Sequence, residues 1–207
     1  MEDKNNPVME EVILETAERL FLEKGFALTS TTEIAKEVGC NQALIHYYFR
    51  TKDNLFNTIF EQKFRLFFQH VFELGNLDDL SFTDKLKHII ESHFDMLKAN
   101  PKLPLLIIRE FSRRPEQLHV LKEKLQAIPQ KLFEKMNTEL DAEIASGKIR
   151  PTTILDLLLS ILSLNISLFL LMPIFSEVMS MNDVQKEFVI QHRRNEHVTI
   201  ILNSMRA

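Results

Sequence analysis

The stretch that decides the fold reads Ser30-Thr31-Thr32-Glu33-Ile34-Ala35-Lys36-Glu37-Val38-Gly39-Cys40-Asn41-Gln42-Ala43-Leu44-Ile45-His46-Tyr47-Tyr48. Ser30 through Glu33 has capping-box spacing, so a helix opens there and runs through Val38. Gly39 ends it and supplies the left-handed residue that a tight turn requires. Asn41 can cap the next helix, a short one from Gln42 to Tyr48. Ala35 is small where two helices would cross closely, and Ile34, Val38, Cys40, Ile45 and Tyr48 fall on the side to be buried. What remains on the outer face of the second helix is Asn41, Gln42, Ala43, His46 and Tyr47. These are small or hydrogen-bonding residues, suited to base edges and phosphates. The pattern is that of a helix-turn-helix between Thr31 and Tyr48, although a plain helical hairpin with a solvated polar face would share part of it.

Working outward, Ile13, Ala17, Leu20 and Phe21 recur at helical spacing upstream, and Gly25 stands where a helix ends. Downstream, Thr51 caps a helix from Lys52 to about Leu74, with Asp53 favourably near its start. Beyond Gly75 the spacing predicts helices over Thr83–Ala99, Leu103–Arg113, Glu116–Ala145, Thr153–Phe175 and Asp183–Met205. Asn100-Pro101, Arg114-Pro115 and Arg150-Pro151 mark boundaries, because a residue before proline avoids helical angles. Pro129 should kink or split its helix, and Pro173 should break the end of another. The fold class expected is all-α.

Composition agrees. The chain has 207 residues, 45% apolar and 26% charged, which excludes wholesale disorder. Its four glycines all fall at breaks in helical patterns. A single cysteine, Cys40, excludes an internal disulfide and fits a reducing compartment. Cys40 itself reads as a packed thiol beside the turn. The segment Met1 to Asn6 is polar with no apolar h-region, so no secretory signal is expected and the location predicted is cytoplasmic. A net charge of −4 excludes a bulk polyanion binder. Contact with nucleic acid must therefore come from a local surface. Val38 through Lys52 contains no acidic residue, while His46, Arg50 and Lys52 all lie within it.

The stretch Ile13 to Leu55 carries Ala17-x-x-Leu20-Phe21-x-x-x-Gly25-Phe26, Thr29-Ser30, Ile34-Ala35, Gly39 and Tyr47-Tyr48-Phe49-x-x-Lys52-x-x-Leu55. It resembles the DNA-binding domain of the tetracycline-repressor (TetR) family. The resemblance implies an N-terminal three-helix DNA-binding domain over 8–68 and a larger helical ligand-binding and dimerisation domain over 69–207. It implies that Thr31 and Thr32 approach a phosphate and a base edge, that Gln42 and Ala43 enter the major groove, and that Tyr47 reaches the backbone or a thymine methyl. Lys52 would hold a phosphate. His46 stands where the family usually has tyrosine, and Asn41 where it often has serine; both remain candidate DNA contacts. The partners implied are a palindromic double-stranded operator, a second copy of the chain and a small-molecule effector.

Ile154 to Phe175 is almost continuously apolar and long enough to span a membrane. Ser160, Ser163, Asn165 and Ser167 punctuate it, however, and no basic cluster flanks it. A helix apolar all round also suits the centre of a dimer, with the last helix beside it in a four-helix bundle. Ile161, Leu164, Leu168, Val198, Ile201 and Leu202 are the interface candidates, and no membrane partner is expected. The sixteen phenylalanines are unevenly placed, with Phe64, Phe67 and Phe68 in one stripe. Such a stripe reads as core packing or as the lining of an apolar pocket, together with Phe94 and Phe111. His93, Glu110, Ser163 and Asn165 are the polar groups that could orient a ligand. His88, His93 and His119 lack metal-ligand spacing. No enzyme motif, metal site or cofactor signature appears, so neither catalysis nor a cofactor is expected.

Overall fold

A computed structural model describes residues 7–72, 80–113, 115, 122 and 130–207, the side chains at 7, 64–72 and 130–132 excepted. Among these residues the elements are α1 (Pro7–Lys24), α2 (Thr31–Val38), α3 (Gln42–Phe49), α4 (Lys52–Phe72), α5 (Phe82–Ala99), α6 (Leu103–Arg113), α7 (Gln130–Ala145), α8 (Ile154–Val178) and α9 (Asp183–Ser204). The all-α expectation holds. The one bridge among them, Ile149 to Arg206, ties the end of α9 to the turn before α8. The expected side-chain positions of Phe64, Phe67 and Phe68, and the expectations for Gly75, His119 and Pro129, lie outside the described residues.

The chain divides into two compact units, Met1–Leu66 with Leu106–Leu121, and Phe67–Leu105 with Lys122–Ala207. Placing α6 from Leu106 onward in the first unit is something the 8–68 boundary does not foresee. In that unit α1 buries Ile13, Ala17, Leu20 and Phe21, against Ile34 and Ala35 of α2 and Ile45 and Phe49 of α3. Leu55, Phe56 and Ile59 of α4 and Leu106 of α6 complete the core. Phe21, Phe26 and Phe56 form an aromatic triangle with centroids 5.3–5.6 Å apart. Truncating a phenylalanine buried this way costs about 3–5 kcal/mol.

In the second unit α5, α7, α8 and α9 enclose Leu86, Ile90, Leu140, Leu157, Ile161 and Ile201. Along α8 the buried residues are Ile154, Leu157, Ile161, Asn165 and Phe169, a single stripe at helical spacing. Away from that stripe large apolar side chains are exposed, Leu155 at 65%, Leu159 at 53% and Ile174 at 59%, among Asp156, Ser163 and Ser167. Among the described residues α8 alone is long and apolar enough to cross a membrane. Pro173 does not break it. The helix passes through Pro173 and ends at Val178, with Ser180 in the left-handed region and Met181 N–H donating to Ser176 O at 2.8 Å. A proline removes one backbone donor, and strong helix formers on both sides carry the helix across that gap.

Candidate nucleic-acid interface

The turn forms as its residues require. Ser30 accepts from Glu33 N–H at 3.1 Å and so opens α2. Only half of the capping box forms, because the Glu33 carboxylate turns to Lys24 instead, which holds it below the usual carboxylate range. Gly39 closes α2 at φ 76°, and the Asn41 side chain accepts from Ala43 N–H at 2.9 Å to open α3. Cys40 is half-buried against the core, and desolvation raises its thiol pKa, as suits a packing thiol.

Four of the expected contact residues come together in one hydrogen-bonded cluster. Gln42 Nε2 donates to Thr31 Oγ1 at 3.0 Å, and Gln42 Oε1 accepts from Thr32 Oγ1 at 3.1 Å. His46 Nδ1 faces Arg50 O at 2.9 Å; a carbonyl only accepts, so Nδ1 carries the proton. His46 Nε2 is then an acceptor for the second N–H of Gln42, 3.4 Å away. The cluster fixes the side chain at the start of α3 against the start of α2. Thr32, Ala43, His46 and Tyr47 are exposed beside it, while Thr31 and Gln42 are half-buried. The nearest carboxylates on α2 are neutralised, Glu33 by Lys24 and Glu37 by Arg19 at 2.7 Å. The outer face of α2 and α3 therefore offers uncharged donors and acceptors, free of competing negative charge.

Two residues depart from expectation. Lys52 has a structural engagement that its sequence context does not show. Its ammonium donates to the carbonyls of Phe26 and Thr29, each at 2.9 Å, and lies 4.1 Å from the Phe26 ring centroid. It fastens the α1–α2 connection to the start of α4. Arg50 was not among the expected contacts, yet it closes α3 at φ 64° and its carbonyl sets the His46 ring. Its place in the acid-free run was the available signal.

The expected ligand-orienting groups separate. Glu110 is buried in the first unit, where its carboxylate accepts from Phe26 N–H at 3.3 Å, and Phe111 packs edge-on against Phe60 there. His93, Phe94 and Asn165 are buried together in the second unit, where Asn165 also bonds His197, a residue the sequence did not single out. Ser163 is exposed and apart from them. Of the interface candidates, Ile161, Val198 and Ile201 are buried within their own chain, which leaves them little surface for a partner. Leu164, Leu168 and Leu202 are half-buried. Between the second half of α8 and the first half of α9 lies a groove of about 840 Å³, bordered by Leu168, Leu171, Phe175, Phe188, Arg193 and His197.

Residues 13–59 match the family described as bacterial regulatory proteins, tetR family. The chain is 25% identical over 138 residues to the fatty acid metabolism regulator protein of Bacillus subtilis, covering 67% of this chain and 69% of that one. A bacterial regulatory protein in the tetR family from Rhodococcus RHA1 superposes with a TM-score of 0.73 at 17% identity, over 98% of this chain and 99% of the other. The ketosteroid transcriptional regulator of Mycobacterium tuberculosis does so with a TM-score of 0.69 at 15% identity, over 98% and 97%. At these identities the structural likenesses speak for the fold.

Proposed function

The chain belongs to the tetR family of bacterial regulatory proteins, and on that premise we propose that it is a cytoplasmic, sequence-specific repressor. It acts as a homodimer on a palindromic operator and leaves it when a small apolar effector binds. The first unit is the DNA-binding part and the second the effector-binding and dimerisation part. The observation that carries the reading is the meeting of the starts of α2 and α3 beside the acid-free run Val38–Lys52, where Thr31, Thr32, Gln42 and His46 form one ordered cluster. In the complex Gln42 and Ala43 enter the major groove, and Asn41, His46 and Tyr47 lie along its edge. Dimerisation is supported by the exposed band of Leu155, Leu159, Leu162 and Ile200, a patch that isolated soluble chains rarely leave bare. Likeness to a regulator of fatty acid metabolism and the apolar groove both favour an effector with an extended apolar chain. Selecting bound sequences from random DNA tests the reading. A palindromic consensus with half-sites about one helical turn apart is expected. Recovery of no consensus overturns it.

A further inference from the structure

Three side chains hold the Gln42 amide, and only one of them has a fixed polarity. The amide nitrogen donates to Thr31 Oγ1 at 3.0 Å, and the amide oxygen accepts from Thr32 Oγ1 at 3.1 Å. A hydroxyl can donate or accept, so the two threonines would hold the amide equally well turned end for end. His46 would not. Its Nδ1 lies 2.9 Å from Arg50 O, which only accepts, so the proton of the neutral ring sits on Nδ1 and Nε2 carries a bare lone pair. That lone pair faces the Gln42 nitrogen at 3.4 Å and would repel the Gln42 oxygen in its place.

The Arg50 carbonyl is placed by a strained turn. Arg50 stands at φ 64° and ψ −51°, and around it Thr51 N–H donates to Phe49 O at 2.7 Å. This is a γ-turn of the rarer hand, which residues with side chains seldom adopt. Such strain persists only where the surrounding structure holds it, and it gathers at functional sites. A polarity thus passes along a line, from the Arg50 carbonyl to the His46 ring and from the ring to the Gln42 amide.

We propose that His46 is a positioning residue that sets the base preference of Gln42, by holding its amide one way round so that the oxygen is left free for a base. The proposal rests on reading this face as the DNA contact. Both N–H groups of the amide are engaged, whereas Oε1 keeps a second lone pair. The long bond to His46 is the one most easily given up. An adenine answers this arrangement, with N6–H donating to Oε1 and N7 taking the released N–H. Guanine offers two acceptors, N7 and O6, and one of them would face Oε1. To take guanine the amide must turn over and set its oxygen against the His46 lone pair.

The test compares the operator selected from random DNA with the same operator carrying guanine for adenine at the base pair where Gln42→Ala relaxes preference. His46→Tyr is the deciding variant. Tyrosine, the residue the family usually carries here, keeps a hydroxyl for a phosphate but has no fixed polarity. Its preference for adenine over guanine is expected to fall by about fivefold or more, while affinity for the adenine operator changes far less. A loss shared equally by both operators would make His46 a phosphate contact alone and overturn the proposal. In a Gln42→Ala background His46→Tyr should leave the ratio where it is, since no amide remains to be held. A ratio that still falls would show that His46 reads the base itself, and overturns the proposal too. Nitrogen NMR of the free wild-type chain at alkaline pH should find the His46 proton on Nδ1; a proton on Nε2 breaks the line of polarity and overturns it. A consensus without adenine at that base pair, or one that Gln42→Ala leaves intact, overturns the proposal and spares the repressor reading. Recovery of no consensus removes both.

Discussion

Two hydrogen-bond networks in this chain are each built around a carboxamide, one at the surface of the first unit and one inside the second. Gln42 donates to Thr31 and His46 and accepts from Thr32. Asn165 donates to Ile90 and His93 and accepts from His197. The bonds are alike in number and kind, but their surroundings are not. Water can replace any bond that Gln42 loses, so losing one leaves no buried group unmet. Nothing can replace what Asn165 loses without a buried polar group standing unmet. The surface network can thus be surrendered to a base edge, whereas the buried one fixes the packing of α5, α8 and α9.

The largest effect expected is that of Asn165→Leu. It takes one hydrogen-bond partner from each of two buried imidazoles, at roughly 1–3 kcal/mol apiece, and less from the Ile90 carbonyl, which keeps its bond within α5. A loss of about 3–5 kcal/mol in chemical denaturation is expected, less than the full sum because the site can relax. A loss below about 1 kcal/mol would put Asn165 on the same footing as Gln42 and break the contrast.

Acid should attack the same network. His93 and His197 are both held down to about 4 from an ordinary 6.5, chiefly because burial disfavours the charged ring. A folded pKa below the unfolded one means the fold favours the neutral ring. That stability is present in full above pH 6.5 and is lost as pH falls from there toward 4. On the order of 2 kcal/mol should go by pH 5 for His93, and less for His197, which borders an open groove. Denaturation midpoints across this window check the sign; stability flat between pH 7 and 5 would show that neither ring is held neutral.

Much of this was legible beforehand where local rules govern. Gly25, Ser30, Gly39, Asn41 and Thr51 act through backbone geometry and caps within a few residues, and the structure shows each terminating or opening a helix where the sequence placed it. The α8 sequence shows an apolar surface all round, but which face turns inward depends on α5 and α9. Ile161 was therefore assigned outward although it is core. His197 carries no local signal on its helix; only the approach of Asn165, from 32 positions away, gives it meaning. The structural bonds of Lys52 were hidden for the same reason, since its carbonyl partners lie 23 and 26 positions upstream.

Lys52→Met asks which role of this side chain governs, on the border of the contrast, at a half-buried polar group of the first unit. Two carbonyls lose a charged donor, so a stability loss on the order of 1–3 kcal/mol is expected. The salt dependence of operator binding should barely change. A slope flatter by about 0.9 for each half-site, at unchanged stability, would instead return Lys52 to the phosphate contacts.

The smallest effect on the fold is expected from Gln42→Ala, and it isolates what the surface network is for. Thr31, Thr32 and His46 each keep access to water, so stability should move by less than about 0.5 kcal/mol. Affinity for the selected operator should fall by about 1–3 kcal/mol per half-site, with preference relaxed at one base pair while the others keep theirs. The pairing of these results is the informative part. A side chain that matters little to the folded state, yet is held in place by three neighbours, is ordered for an encounter rather than for stability. On binding, its bonds to Thr31 and His46 can be exchanged for bonds to a base edge at small net cost. Should the variant keep both affinity and base preference, Gln42 only packs the start of α3, and reading falls to the exposed Ala43, His46 and Tyr47.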